Sequence, residues 1–312
     1  MIIAIIIFIF NVFLLIYPRV VLAAAREGLL LWFNNVLPSL LPFIIATNMM
    51  IALGFAQLLG GVFAPIMNRV FKLPGAGGFA LVTGLMSGYP MGAKVVADLK
   101  RQGQISTQDS QHLLAFCNNA GPLFIVGVVG VGLFHSSRIG YILWAAHVLA
   151  ALGVGVIYGC ICGRPMAAST VGTAFGRPQV RPTQPIGTIL GDAVKNAMES
   201  MVFIGGLIIF FNVIVAVVAE VIDLDATVYS GVLAGLAEVT GGVKRLAAFE
   251  PGFVTLCASA FVIAFGGFSI HAQTFHFMAN TGVKAVPYLL AKLLHGLLSA
   301  GITAVLWQMM KV

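Results

Sequence analysis

The sequence predicts an all-α polytopic membrane protein made of two similar halves, and three observations carry that prediction. Of its 312 residues, 60% are hydrophobic and only 9% are charged, more apolar surface than a soluble core of ordinary proportions hides. Several stretches are apolar over roughly 20 residues, enough to cross a hydrocarbon layer about 30 Å thick. Glycine-broken segments also recur in the same order in the two halves of the chain. The 36 glycines suit close helix packing and interrupted helices in a bilayer. The formal charge of +7 then reads as loop Lys and Arg setting orientation, and no nucleic-acid partner is expected.

Residues 1–35 form an N-terminal unit. MIIAIIIFIFNVFLLIYP resembles a signal peptide, but it lacks a basic n-region and exceeds the usual h-region of about 7–15 residues. It is read as a retained first span. The segment VVLAAAREGLLLWFNN, with Arg26 and Glu27 at its middle, is a short second span or a helix lying in the interface. Further spans are expected over 36–56, 110–134, 138–162, 200–221, 252–275 and 286–308. Residues 163–185, GRPMAASTVGTAFGRPQVRPTQP, hold Arg164, Arg177 and Arg181 and no acid, and read as a cytoplasmic linker between a first half, 36–162, and a second, 186–312. Cys117, Cys160, Cys162 and Cys257 show no disulfide or zinc pattern and read as small buried hydrophobes. No metal or cofactor is implied, and a homo-oligomer is compatible with the chain.

The halves align at several places. GLMSGYPMGAKVVADL begins at Gly84 and GLAEVTGGVKRLAAF at Gly235, 235 − 84 = 151 residues later; Phe116 of LLAFCNNAGPLF and Phe265 of VIAFGGFSIHAQ differ by 265 − 116 = 149, and Lys94 and Lys244 by 244 − 94 = 150. A weaker match pairs Ser39 with Ser200. Breakers at matching positions of two halves point to a transporter with its site near the bilayer midplane. Irregular backbone at membrane depth survives only where protein covers it or water reaches it.

In the first half, Ser87, Gly88 and Tyr89 are expected at the tip of a re-entrant helical hairpin, with Pro90 opening the returning helix and Lys94 one turn in. In the second, Thr240 is expected to cap the matching helix, Gly241 and Gly242 to allow close approach, and Lys244 to take the place of Lys94. Each hairpin then offers a cationic cradle. The breaks CNNAGP (117–122) and FGGFSIHAQ (265–273) place Asn118, Asn119, Ser269, His271 and Gln273 where they can bind a solute. Plainer roles stand beside these. Asn and Gln also tie membrane helices together, Lys94 and Lys244 can snorkel or pair with Asp98 and Glu238, and His147 reads as packing. Glu238, an acid on a tip matching Ser87, is a coupling-ion or proton site, or a partner of Lys244.

GYPMGAK, CNNAGPLF, AEVTGG, GFSIHAQ and LAKLLHGLLSAG together resemble the sporulation integral membrane proteins of the YlbJ or SpoVV type, of the nucleoside-recognition (Gate) superfamily, over about Arg26 to Gly301. The resemblance implies two inverted repeats, each with a re-entrant hairpin and a broken transmembrane helix, similar to concentrative nucleoside transporters. It also implies endospore formation and movement of dipicolinic acid across the outer forespore membrane. A planar dianion suits two opposed helix ends with a lysine each. A nucleoside would instead use Asn118, Asn119, Thr240, Ser269 and Glu238, and a non-transporting scaffold would tolerate loss of either lysine. An enzyme is not expected: no HExxH, GxSxG or phosphate loop occurs. A cytoplasmic linker would make the first hairpin open inward and the second, with Glu220, Asp223 and Asp225 before it, outward.

Overall fold

A computed structural model describes residues 1–161, 184–222 and 227–309. Among the described residues every regular element is a helix. The linker expected at 163–185 falls outside them except for its last two residues, as do Cys162, Asp223 and Asp225.

Helix α1 (Ile2–Ile16) meets α2 (Pro18–Leu31) at a bend of 103°. Pro18 tolerates the first helical position because its missing N–H would have no partner there. The expected first span and the segment after it are thus separate helices that meet at a sharp bend. A π-helical stretch, Trp32–Val36, carries α2 into α3 (Leu37–Ala52), and α4 (Phe55–Val70) follows a left-handed glycine, Gly54. Helices α2 and α3 run antiparallel to α9 (Ile186–Ile222), the longest helix at 37 residues. Along this seam Gly28 lies against Ile209 and Asn212, the Trp32 indole N–H donates to the Met201 carbonyl at 3.0 Å, and the Asn48 amide donates to the Ala193 carbonyl at 3.1 Å. Ile44, Ala197, Met201, Ile204 and Ile208 fill it.

The remaining helices repeat one order. A hairpin of α5 (Gly77–Ser87) and α6 (Met91–Arg101) leads to α7 (Thr107–Cys117), a non-helical break, a π-helical stretch Leu123–Leu133 and the long α8 (Ser137–Ile161). A hairpin of α10 (Val228–Ala237) and α11 (Val239–Leu246) leads to α12 (Phe253–Phe265), a break at Gly266, α13 (Gly267–Phe277) and the long α14 (Ala285–Met309). Local chemistry sets several starts. Ser106 and Asp109 form a reciprocal capping box at α7, and Thr227 and Ser230 form one at α10.

Four helices, Ser137–Ile161, Ile186–Val221, Phe253–Phe277 and Ala285–Met309, are long and apolar enough to cross a membrane, and the bent N-terminal pair makes a fifth candidate. These agree with the spans expected at 138–162, 252–275 and 286–308; the one expected at 200–221 begins earlier, at Ile186. The 110–134 segment is interrupted at Asn118, and α3 stops at Ala52, short of residue 56. Large apolar side chains such as Leu22, Phe33, Val62, Phe210 and Leu290 cover the outside. The chain is an integral membrane protein. Two expectations need correction. Cys160 is exposed on the apolar exterior, where a thiol behaves as one more small hydrophobe, and Cys257 is half-buried.

Candidate functional site

Each hairpin tip is seated on the break of its own half. Gly88, at φ +84°, packs on the backbone of Gly121, while Gly84 and Gly92, one on each arm, close on the Cys117 carbonyl. A side chain at any of these would collide with backbone, so the breakers in GLMSGYPMG serve close approach. In the second half Gly267 lies against the backbone of Gly235 and Val239, and Gly242 lies against Gly235. The breaks themselves differ. The first leaves Asn118 to Gly121 irregular, whereas the second is the single residue Gly266 at φ +93°, so Ser269, His271 and Gln273 lie within α13 and not on irregular backbone. Pro90 precedes its helix instead of opening it, and the Met91 amide donates back to the Gly88 carbonyl at 3.0 Å.

Between the two breaks lies a buried polar cluster that joins the halves. The Asn118 amide donates to the Thr274 hydroxyl at 2.8 Å and to the Tyr288 hydroxyl at 3.3 Å. Lys292 Nζ donates to the Asn118 carbonyl at 2.9 Å and lies 3.0 Å from His295 Nδ1. His295 Nε2 sits 3.0 Å from the His147 carbonyl, and the Ala120 amide, inside the first break, donates to His147 Nε2 at 3.1 Å. His271 Nδ1 meets the Tyr288 hydroxyl at 3.1 Å. Lys292 is 1% exposed, yet among the described residues no carboxylate pairs with it. Such a lysine inside a membrane marks a functional site by default.

Hydrogen-bond logic fixes the tautomers. A carbonyl only accepts, so His295 carries its proton on Nε2 and turns the lone pair of Nδ1 to Lys292. His147 accepts an amide proton at Nε2, so its N–H is at Nδ1, which has no partner. Asn118 Oδ1, Asn119 Oδ1, His271 Nε2, Gln273 Oε1, Ser299 Oγ and the Tyr89 hydroxyl are likewise buried without a hydrogen-bond partner. Buried polar groups in folded proteins are overwhelmingly paired, so the unpaired Asn118 Oδ1, His147 Nδ1 and His271 Nε2, all on residues bonded into this cluster, are unusual. Tyr89 lies within electrostatic range of Glu238 and of Tyr288, which connects both tips to the cluster.

The structure thus brings Asn118 and His271 together at Tyr288; Asn119 bonds back to the Phe116 carbonyl at 2.7 Å, Gln273 meets Ser269 at 3.5 Å within α13, and Ser87 and Gly88 are buried beside the first break. Lys94 and Lys244 lie elsewhere. Lys94 donates to Asp98 at 2.9 Å and to Asn48 of α3 at 2.8 Å; Lys244 is 65% exposed and donates to Glu27 of α2 at 2.8 Å. Glu238, 4% exposed, does not pair with Lys244. Its carboxylate accepts the amides of Thr240 at 3.0 Å and Gly241 at 2.6 Å, so Glu238, and not Thr240, caps α11. The positive end of that helix is neutralised by its own preceding residue. Thr240, Gly241 and Lys244 line a separate cleft of about 250 Å³ with Glu27, Asn34 and Asn212.

Lys292, His295, His147, Tyr288 and Thr274 are site residues that sequence reasoning missed. A usable signal existed: His147 and His295 are 148 residues apart, close to the offsets of the hairpin motifs, and their rings meet with centroids at 4.6 Å.

The chain is 31% identical, over 94% of its own length and 79% of the relative's, to the sporulation integral membrane protein YlbJ of Bacillus subtilis (strain 168). No family model matches it, and no solved structure matches it. The chain belongs to the YlbJ family of sporulation integral membrane proteins.

Proposed function

We propose that this member of the YlbJ family is a transporter of a small organic anion, with dipicolinate as its substrate in endospore formation, and that the anion binds at Lys292. The observation that carries this reading is a buried lysine with no carboxylate partner, held by Asn118 between two broken helices. An anion supplies the missing charge. Removing one partner of a buried pair is costly, so a bound carboxylate gains correspondingly from the free ammonium. The unpaired N–H of His147 and the hydroxyls of Tyr89 and Ser299 add neutral donors. Lys94 and Lys244, already matched by Asp98 and Glu27, contribute to the hairpins' anchorage and not to this charge.

The repeated order of elements supports a Gate-type architecture of two inverted repeats, similar to concentrative nucleoside transporters, and α9 supports the inversion. The first hairpin is anchored through Lys94 and Asn48 at the level of Ala193, and the second through Lys244 and Glu27 beside Asn212. Those two levels are 212 − 193 = 19 residues apart on one helix, about 28 Å at 1.5 Å per residue. That span approximates the hydrocarbon thickness of about 30 Å, so the hairpins enter from opposite faces.

A second reading, a nucleoside or other neutral polar solute, is favoured by one observation: Asn118 Oδ1, Asn119 Oδ1 and Gln273 Oε1 are acceptors and would suit a ligand with N–H or O–H groups. The purified chain in liposomes, offered dipicolinate, nucleosides and simple dicarboxylates, separates the two. Saturable dipicolinate uptake that fails in Lys292→Met supports the anion. Uptake of nucleosides alone supports the second reading, and no uptake of any solute supports a scaffold.

A further inference from the structure

We propose that Lys292 and His295 share one proton that is loaded and released together with the transported anion, making the carrier proton-coupled. The inference rests on the transport reading above and adds the coupling ion and the residues that hold it.

The pair has the geometry for it. Lys292 Nζ and His295 Nδ1 are 3.0 Å apart, and His295 is held from behind by the His147 carbonyl 3.0 Å from Nε2. With the ammonium on Lys292, an Nζ–H donates to the Nδ1 lone pair. When the proton crosses, the Nζ–H bond breaks as the Nδ1–H bond forms, leaving a neutral amine and an imidazolium that keeps its Nε2–H on the same carbonyl. No heavy atom moves. The pair therefore stores one proton between two bases, and the total is unchanged wherever the proton resides.

The surroundings make loading conditional on the anion. His295 and Tyr288 face Lys292 from its own helix, His147 from α8 and His271 from α13; α7 brings the thiol of Cys117 beside the bonded Asn118, and α12 carries only the half-buried thiol of Cys257. Tyr89 lies within electrostatic range of Tyr288 and of Glu238, whose carboxylate is committed to two amides of α11. Among the described residues, then, no carboxylate pairs with a protonated pair. A buried charge without a counter-charge is costly, and so is an anion buried beside a neutral amine. At Lys292 the low-energy states hold both the proton and one carboxylate of the anion, or neither. One proton taken from water on one side and one anion bind together, and both return to water on the other.

The test uses the full chain in liposomes that contain a pH-sensitive dye, with dipicolinate as the probe. Wild-type uptake should acidify the interior in step with dipicolinate entry. An inwardly directed gradient of one pH unit, about 1.4 kcal/mol per proton, should raise accumulation up to about tenfold. His295→Gln, which can keep a hydrogen bond but cannot take a proton, should lose the pH-driven accumulation. Uptake without proton movement in the wild type overturns the coupling and leaves the transport reading standing. Full pH-driven accumulation in His295→Gln overturns the assignment to this pair. Absence of both uptake and exchange in the wild type overturns the transport reading and the coupling with it. Should His295→Gln fail to fold, the wild-type proton measurement still decides.

Discussion

Lys94 and Lys244 occupy matching places on the two hairpins, whereas Lys292 stands three residues before His295 on α14, where the first half has Trp144 three residues before His147. The matched lysines each reach a helix that lies along α9: Lys94 reaches Asn48 on α3 and Lys244 reaches Glu27 on α2. Each also meets a carboxylate. The unmatched lysine meets neutral partners only. Paired elements can share a structural task, because each half must fasten its hairpin. In the transport reading proposed above, a charge that the solute has to answer is needed once, at the centre, and it breaks the symmetry there. The same contrast separates Ser87 from Glu238, since the second tip is shorter and needs a carboxylate to cap α11.

The largest effect that would sharpen this contrast is expected at Lys292. Hydrogen bonds to charged groups contribute roughly 1.5–3 kcal/mol, so Lys292→Met should weaken dipicolinate binding by about 10- to 100-fold. Unchanged affinity, measured by calorimetry on purified protein, would break the comparison at its centre. Next comes Glu238. Loss of an N-cap costs about 0.5–2 kcal/mol, so Glu238→Ala should lower thermal stability in detergent by that amount. Glu238→Gln, which keeps one carbonyl acceptor, should lose less and should retain gradient-driven uptake; loss of that dependence would return the coupling role to Glu238.

Lys94→Met should act on stability more than on binding. Its ion pair with Asp98 is only 12% and 23% exposed on the two sides, and Asn48 would lose its donor. A cost of about 1 kcal/mol is expected, with dipicolinate affinity near wild type. A tenfold loss of affinity would instead restore a cradle at the hairpin. Lys244→Met should matter least. Both members of its pair are about two-thirds exposed (65% and 63%), and such pairs contribute about 0–1 kcal/mol. A double-mutant cycle with Glu27→Gln measures this directly, and a coupling well above that range would show that the cleft is less solvated than its exposure indicates.

Much of the architecture was legible in the sequence because breakers in a membrane leave few alternatives. Gly84, Gly88 and Gly92 had to approach backbone closely, and the hairpin at 77–101 follows from that. The long helices announce themselves by apolar length. Of the partners of charged side chains, Asp98 was legible one turn from Lys94, but the distant ones were not. Glu27 lies 217 residues from Lys244 in the chain, and Asn48 lies 46 residues from Lys94, so neither contact leaves a local trace. Glu238 as a cap was hidden because its role depends on how short the turn between α10 and α11 is. Lys292 stayed unseen for a different reason. It sits on an uninterrupted span in which one lysine among leucines looks like a snorkelling residue, and only the arrival of Asn118 from the other half makes it a centre.

The contact between Arg101 and the end of α13 has a mechanical consequence. Arg101, at the end of the first hairpin, donates to the Phe277 carbonyl at 2.6 Å, and the opposite end of α13, Gly267, is wedged against the tip of the second hairpin. Helix α13 is thus a rod of 11 residues, about 16 Å long, gripped by one hairpin at each end. Displacing either hairpin pushes or pulls the other through it. In the transport cycle proposed above, this rod would let the two hairpins act as the paired doors of an airlock, each sensing the other's position.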